Sequence, residues 1–420
     1  MRWTRVGSSG GLRPARALFG LAWLYGAAAQ AVEYSLAGNL ALGQQYNSNF
    51  LLAPVPQAVW GGNLDLGGTF KAAEPRWEIA ANPRLSNYFY TPAGDLQLQN
   101  QYVDARAHYH TERFRYALSG NFTDDYLLSS QSDPVVGLVL GKVHRNLKGI
   151  APSWSYSFSE TTRGTLGYDY ERAEYAADSY PDSESHGVFA ALERQYSERL
   201  GLEGRLAYNR FDASQPAGYK NAIESVNFSL GFEYAFDESL DIRFSAGAQH
   251  NQTQAEYQGY AIQGYALIDQ NPIRYAPVLV PAQIQAPPRR SLSPVFSLSL
   301  AKHLENTDWQ LSYDRQISPS INGALLEYDR LGLAATRRFR EDLDGSVELG
   351  YTRQSYTVAV GGNSGLSYYQ AAARLSYRWS ERWSATAAYR YLLRALDKAD
   401  NQDAHVVSLT LRYDFDTHSF

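Results

Sequence analysis

From Tyr34 almost to the last residue, apolar and polar side chains alternate with a period of two, and short polar turns interrupt the alternation at regular intervals. Period two is what a strand shows when its two faces meet different surroundings, because successive side chains point to opposite sides of a sheet. Val226, Phe228, Leu230, Phe232, Tyr234 and Phe236 alternate with Asn227, Ser229, Gly231, Glu233 and Ala235. Leu240, Ile242, Phe244 and Ala246 then alternate with Asp241, Arg243, Ser245 and Gly247. Trp383, Ala385, Ala387, Tyr389 and Tyr391 repeat the pattern near the other end. The chain is therefore expected to be all-β, with one apolar face and one polar or small face.

The turns share a texture. YSERL (196–200), FDESL (236–240), FREDL (339–343), FSETT (158–162), HTERF (110–114) and WSERW (379–383) each set large residues at the shoulders of a short polar link. Looser versions end at Pro75 and Trp309, which makes eight. Between them lie longer segments rich in Gly, Pro, Asn, Asp and Ser, over 47–58, 129–141, 175–185, 212–221, 358–365 and, longest of all, 252–290. Short periplasmic turns opposite long extracellular loops are the mark of an outer-membrane barrel.

A mean hydropathy of −0.41 excludes a helical membrane protein. A sheet with an apolar outer face must nevertheless close on itself in a bilayer, since hydrocarbon offers no partner to an unpaired backbone N–H or C=O. Eight turns with both termini on one side imply nine loops and so a transmembrane antiparallel β-barrel of about 18 strands (range 16–18). Trp379 and Trp383 are then expected in the headgroup zone, where the ring is half buried and its polar edge stays wet. A water-soluble β-sandwich also alternates, but it rarely needs so many tyrosine-rich strands, and this chain has 32 Tyr.

The first 31 residues are expected to be a signal peptide. Four arginines and no acid precede the apolar run ALFGLAWLYGAAA, and Ala29-Gln30-Ala31 offers the small-x-small site that signal peptidase needs. That run is shorter than the roughly 20 residues that span a bilayer as a helix, which disfavours an anchor. Residues 32–420 form the barrel. Loss of the four arginines takes the net charge from −5 to −9, which gives no support to nucleic-acid binding. The absence of cysteine removes disulfides, thiolate chemistry and cysteine-based zinc sites.

Three stretches carry a family resemblance: LALGQQYNSNFLLAP near the start of the barrel, APSWSYSFSETTRGTLGYDY in the middle and RLSYRWSERWSATAAYRY near the end. Together they resemble the β-barrel porin 2 family, outer-membrane barrels of exopolysaccharide and exosortase-associated gene clusters. The resemblance implies a porin-like outer-membrane conduit for exopolysaccharide export, surrounded by outer-membrane lipid and inserted by the barrel assembly machinery. It also implies periplasmic polysaccharide export proteins as partners and polysaccharide as the transported substrate. Its motifs are strand-turn-strand textures, so a general diffusion porin for small solutes and a non-transport barrel (adhesin or scaffold) stay open. The last strand, in which Val407, Leu409, Leu411, Tyr413 and Phe415 alternate with polar residues, resembles the terminal recognition signal of such barrels, with Phe420 as the other place where it could be read.

If the apolar face meets lipid, the alternate residues line the lumen. Arg106, Arg115, Arg205, Arg243, Arg374, Arg378, Arg390 and Arg412 then share it with Asp104, Asp169, Glu203, Glu233, Asp241, Asp314, Glu348 and Asp414. The near balance of signs argues against a strongly ion-selective pore, and many of these charges can pair across strands as a structural wall. Arg374, Arg378, Arg390 and Arg412 fall on the last three strands, where a basic stripe could steer an acidic polymer or small anions. Tyr257, Tyr260, Tyr265 and Tyr275, in a glutamine-rich segment, offer flat apolar faces beside amide groups, a mixture suited to sugars. That segment is expected either to fold into the lumen as a constriction loop or to stand outside it. His108 and His110 share the lumen face with Asp104, but no nucleophile elbow, zincin motif or phosphate-binding loop occurs. No catalytic residue, metal or cofactor is expected.

Overall fold

The computed structural model describes residues 32–91, 96–127, 142–216, 218–270, 273–356, 366–396 and 399–420, with side chains described outside 259–281 and 396–399. The expected leader, 1–31, lies outside the described residues. In chain order the strands are β1 (Glu33–Asn47), β2 (Val59–Glu74), β3 (Trp77–Thr91), β4 (Leu96–His110), β5 (Phe114–Tyr126), β6 (His144–Ser159) and β7 (Thr162–Tyr175). They continue with β8 (Asp182–Gln195), β9 (Leu200–Ser214), β10 (Lys220–Asp237), β11 (Leu240–Gln270), β12 (Ile273–Gln285), β13 (Arg289–Leu304) and β14 (Thr307–Pro319). Then follow β15 (Leu325–Arg340), β16 (Leu343–Tyr356), β17 (Leu366–Arg378), β18 (Trp383–Leu396), β19 (Ala399–Asp414) and the two-residue β20 (His418–Ser419).

Each strand pairs antiparallel with its neighbour in sequence, with one bypass. The lower part of β11 pairs β13, from Leu240↔Lys302 to Thr253↔Arg289, and leaves β12 out of the ring. β19 returns to β1, from Asn39↔Asp414 to Asn47↔Val406. With β12 and β20 set aside, the closed ring has 18 strands. All eight turn motifs fall between consecutive ring strands, which is why the count could be made from the sequence. Strands about 4.8 Å apart and tilted about 40° give a backbone ring roughly 35 Å across.

The exposed large hydrophobics sit on one face of each strand: Leu202 and Leu206 on β9, Val226 to Phe236 at every second residue on β10, Val407 to Leu411 on β19. Phe228 is 51% exposed and Leu230 58%, values a folded protein tolerates across a whole surface only when lipid covers it. Ten residues separate Val226 from Phe236, about 33 Å along the strand, and a tilt near 40° projects this to roughly 25 Å, the height of a hydrocarbon band. Trp379 and Trp383 stack at the turn end, ring centroids 6.1 Å apart, and Trp383 meets Tyr413 at 4.8 Å. At the loop end Tyr168 and Tyr389 each hold a histidine through the phenol oxygen, His186 and His405, both at 2.8 Å.

Two prolines open ladders within this band. The β2–β3 ladder skips from Gly67↔Arg84 to Phe70↔Ala81 around Pro83, and β6–β7 skips from Ile150↔Tyr170 to Ser153↔Gly167 around Pro152. Proline has no N–H to give, so each ladder opens locally.

The ring is sealed by more than β19. Phe415 donates its N–H to Gly38 O at 2.8 Å, then β20 resumes pairing with β1. Phe420 and Tyr34 exchange backbone hydrogen bonds at 3.0 and 3.2 Å and stack their rings at 5.7 Å. Tyr413 and Phe415, the residues expected to carry the assembly signal, thus lie at the seam beside a second aromatic end at Phe420.

Candidate functional site

The positions that alternate with the apolar face line the inside of the ring, and their charges are distributed unevenly. Over β2 to β11 they pair across strands. Glu233 and Arg243 meet at 2.8 Å, and Arg163 approaches Glu193 at 3.9 Å. These four, with Glu203, border a recess of about 750 Å³ near the turn end. Arg106 reaches Glu78 at 3.8 Å, a carboxylate that Lys71 already holds at 2.6 Å. Asp104 sits in register between Asn82 and Asn121, and Asp169 lies beside Gly187. Arg205 has an aromatic partner instead, its guanidinium 4.0 Å over the Phe189 ring.

The strongest pair on this wall escaped the reading of the sequence. Asp125 is 1% exposed and takes a two-pronged contact from Arg145, Nε to Oδ1 at 3.0 Å and Nη2 to Oδ2 at 2.8 Å. Both are inward positions, and the register places them opposite each other on β5 and β6. That register depends on the 17-residue connection between the strands, which no local pattern fixes.

Over β15 to β19 the wall is different. Its inward positions hold seven arginines (330, 338, 374, 378, 390, 394 and 412) against four carboxylates, Asp344, Glu348, Asp400 and Asp414. Arg412 is held by Asp414 at 2.7 Å, and Arg394 is buried on the Gln402 amide. Arg374 and Arg378 are in no ion pair among the described residues. The register sets Arg390 opposite Ala372 and Arg374 opposite Ala388, and the small partners leave a recess of about 250 Å³ that Glu348 also lines.

The loop end of the lumen is filled from within. The β13–β14 ladder stops at Phe296↔Arg315, whereas β14–β15 runs on to Pro319↔Leu325. β14 parts from β13 there while β15 stays paired with β16 up to Leu326, and the tip of the hairpin, residues 316–325, lies against the inner face of neighbouring strands. Gln249 on β11 donates Nε2 to Ile317 O at 3.2 Å, and Asn221 on β10 donates Nδ2 to Gly323 O at 2.5 Å. Ile317 and Leu325 pack with Ile223, Phe211 and Val295. Ile321, at the very tip, packs on Leu127 and Val143 with Tyr175 and Tyr180, residues from the β5–β8 side of the ring. In an 18-strand ring β14 and β5 stand nearly opposite, so the tip meets the ends of the β5–β6 and β7–β8 connections inside the mouth.

The tip's backbone requires glycine at one place. Gly323 has φ +73°, and a Cβ there would stand 3.0 Å from Ala213 Cβ and 3.3 Å from Pro181. Burial pushes up the phenol pKa of Tyr180 and Tyr219, which flank the tip. A second segment turns inward on the other side. Phe50, in the β1–β2 connection, stacks on Tyr90 at 4.6 Å and packs with Val59 and Leu98. Tyr88 and Tyr90 stand on the inner wall of β3, where Gln45 donates to the Tyr90 phenol at 3.2 Å.

The segment expected either to constrict the lumen or to stand outside it pairs with itself. Beyond Glu256 the chain is a β-ribbon, β11 pairing only with β12 from Glu256↔Gln285 to Gln270↔Ile273. Tyr257 is exposed at its base. Tyr260, Tyr265 and Tyr275 have side chains outside those described, and their backbones pair within the ribbon.

His108 and His110 lie 6.3 Å apart, ring to ring. Among the described residues no group of three or more His, Asp or Glu is placed to hold a metal ion.

No family model matches the chain. No curated protein matches it either. Solved structures are similar at low identity. The open form of the ferric-catecholate import receptor Fiu from E. coli K12 is 8% identical with a TM-score of 0.44, over 90% of this chain and 81% of that one. The outer membrane protein OpdK from Pseudomonas aeruginosa is 10% identical with a TM-score of 0.42, over 92% and 99%. OccAB4 from Acinetobacter baumannii is 10% identical with a TM-score of 0.43, over 93% and 99%. None of these similarities bears on what passes through the lumen.

Proposed function

We propose that the protein is an outer-membrane conduit for exopolysaccharide export, with its turn end in the periplasm and its loop end outside the cell. The observation that carries the conduit is a closed 18-strand ring, apolar and exposed on one face, polar and charged on the other. Eighteen strands enclose enough space for a hydrated sugar chain. Polysaccharide as cargo is supported by the family resemblance and by an inner wall of polar and charged side chains able to meet sugar hydroxyls.

The β14–β15 tip fits this role better than that of a general diffusion porin. A porin works with its mouth open, whereas buried apolar clusters hold this tip inside the mouth. A polymer arriving from periplasmic export proteins must displace it, and between export events the tip limits leakage of small solutes. The barrel assembly machinery inserts the chain, reading its aromatic C-terminal strand.

Deleting the gene tests the reading. Polysaccharide should still be synthesised but should disappear from the medium, and the purified protein should conduct in planar bilayers in brief, infrequent openings. Unchanged polysaccharide in the medium, together with steady open conductance, would favour the porin.

A further inference from the structure

We propose that the inner wall of β16–β19 is a binding track for an acidic glycan, with one sugar carboxylate seated between Arg374 and Arg390. The inference rests on the conduit reading for its setting and names the class of polymer carried. Four observations support it.

The first is placement. Arg374 on β17 and Arg390 on β18 are offset by two positions, and the residue facing each is alanine. Side chains of that size open the recess of about 250 Å³ that both arginines line. At roughly 30 Å³ per water that is room for about eight waters, or one sugar ring in their place. The second is chemistry. A guanidinium presents a planar fork that matches a carboxylate, and Gln45, Gln370 and Ser408 add neutral groups able to meet ring hydroxyls. Glu348 is the one carboxylate in the lining, and against two guanidiniums it leaves the recess positive.

The third is repetition. Arg378 follows four residues along β17, about 13 Å from Arg374 toward the turn end, while Arg394, as far toward the loop end from Arg390, is buried on the Gln402 amide. A polymer released from one arginine meets the next, as sliding requires. The fourth is contrast with the opposite wall, where Glu233–Arg243 and Asp125–Arg145 neutralise each other locally. The field across the lumen therefore points one way although the whole chain is acidic, with net charge −5.

Calorimetric titration of the detergent-solubilised full-length protein with trigalacturonate and with maltotriose tests the proposal without requiring an open mouth. Trigalacturonate should bind, more weakly as salt rises, and maltotriose should not. The double variant R374Q/R390Q should bind trigalacturonate at least about tenfold more weakly, as expected when charge-assisted hydrogen bonds are lost. R115Q, on the other wall, should bind normally. Heat-modifiable migration in gels confirms that each variant is a folded barrel. No binding of trigalacturonate, equal binding of maltotriose, or unchanged affinity in the double variant overturns the proposal. Galacturonate binding as tightly as its trimer would also overturn it, leaving a small-anion site in place of a glycan track. Conductance is read separately, so a protein that conducts but fails to bind trigalacturonate loses the acidic glycan and keeps the conduit.

Discussion

Two hairpins overrun the ring at its loop end, and they part ways there. β14 parts from β13 at Arg315 and the tip of its hairpin with β15 lies inside the mouth, where Leu325 and Leu326 are each 1% exposed. β11–β12 continues beyond Glu256 as a two-stranded ribbon paired only with itself. The two tips differ in how their ladders end. Residues 317–326 read ISPSINGALL, with an apolar side chain on most turns of the backbone, a proline that ends the ladder and a glycine that accepts φ +73°. Residues 256–270 hold a long ladder to β12 alone, bulged at Ile262/Gly264 and Leu267/Asp269, and beyond the membrane water can meet their outward backbone groups, so nothing forces them to seek the wall. Apolar content does not separate the two, since the ribbon is as apolar as the tip; the inward turn goes with a ladder cut short at Pro319 and turned at Gly323.

The sharpest way to break this comparison is to remove the inward tip. Gln316 and Tyr328 face each other across β14 and β15, so residues 317–327 can be replaced by Asn-Gly, which favours a two-residue hairpin link. Single-channel conductance in planar bilayers is expected to rise severalfold and to stay high. If it remains at the wild-type level, the tip does not close the mouth.

Ile321→Asp should act in the same direction with a smaller effect. It sets a carboxylate among Leu127, Val143 and Tyr180, at a cost of at least about 2 kcal/mol. Since each 1.4 kcal/mol is about tenfold in an equilibrium, open time should lengthen by more than about tenfold while the barrel's melting temperature in detergent holds. A lower melting temperature with unchanged gating would make Ile321 a stabilising contact only.

Gly323→Val is expected to cost about 1–3 kcal/mol, from a positive φ and a Cβ pressed on Ala213. Openings should become more frequent, with their conductance unaltered. Channel recordings that match wild type would show that the turn relaxes without leaving its seat.

The smallest effect is expected at the ribbon. Replacing residues 257–284 by Asn-Gly between the paired Glu256 and Gln285 should leave both conductance and melting temperature unchanged, since the ribbon pairs only with itself. A rise matching that of the tip deletion would return the constriction to the tyrosine- and glutamine-rich segment.

Much of the inner wall was legible in advance. Once Val226 to Phe236 are assigned to lipid, Glu233 must face the lumen, and Arg243 follows from the next strand. The Asp125–Arg145 pair was not legible, because the residues lie far apart in sequence on strands whose relative register is set by the whole ring. The excess of arginine on β15–β19 was visible only in part. Four arginines on the last three strands stood out, but their meaning depends on what the opposite wall does with its own charge.

The alternation and the eight turns determined the strand count, the two faces and the closure of the ring, because each follows from spacings within about fifteen residues of chain and from the need to pair every backbone group in hydrocarbon. Tertiary structure alone decided which hairpin tip lies inside the mouth and which recess the arginines share. Those depend on contacts between strands that stand on opposite sides of the ring, such as Ile321 with Leu127, and a local pattern carries no information about a partner nearly two hundred residues away.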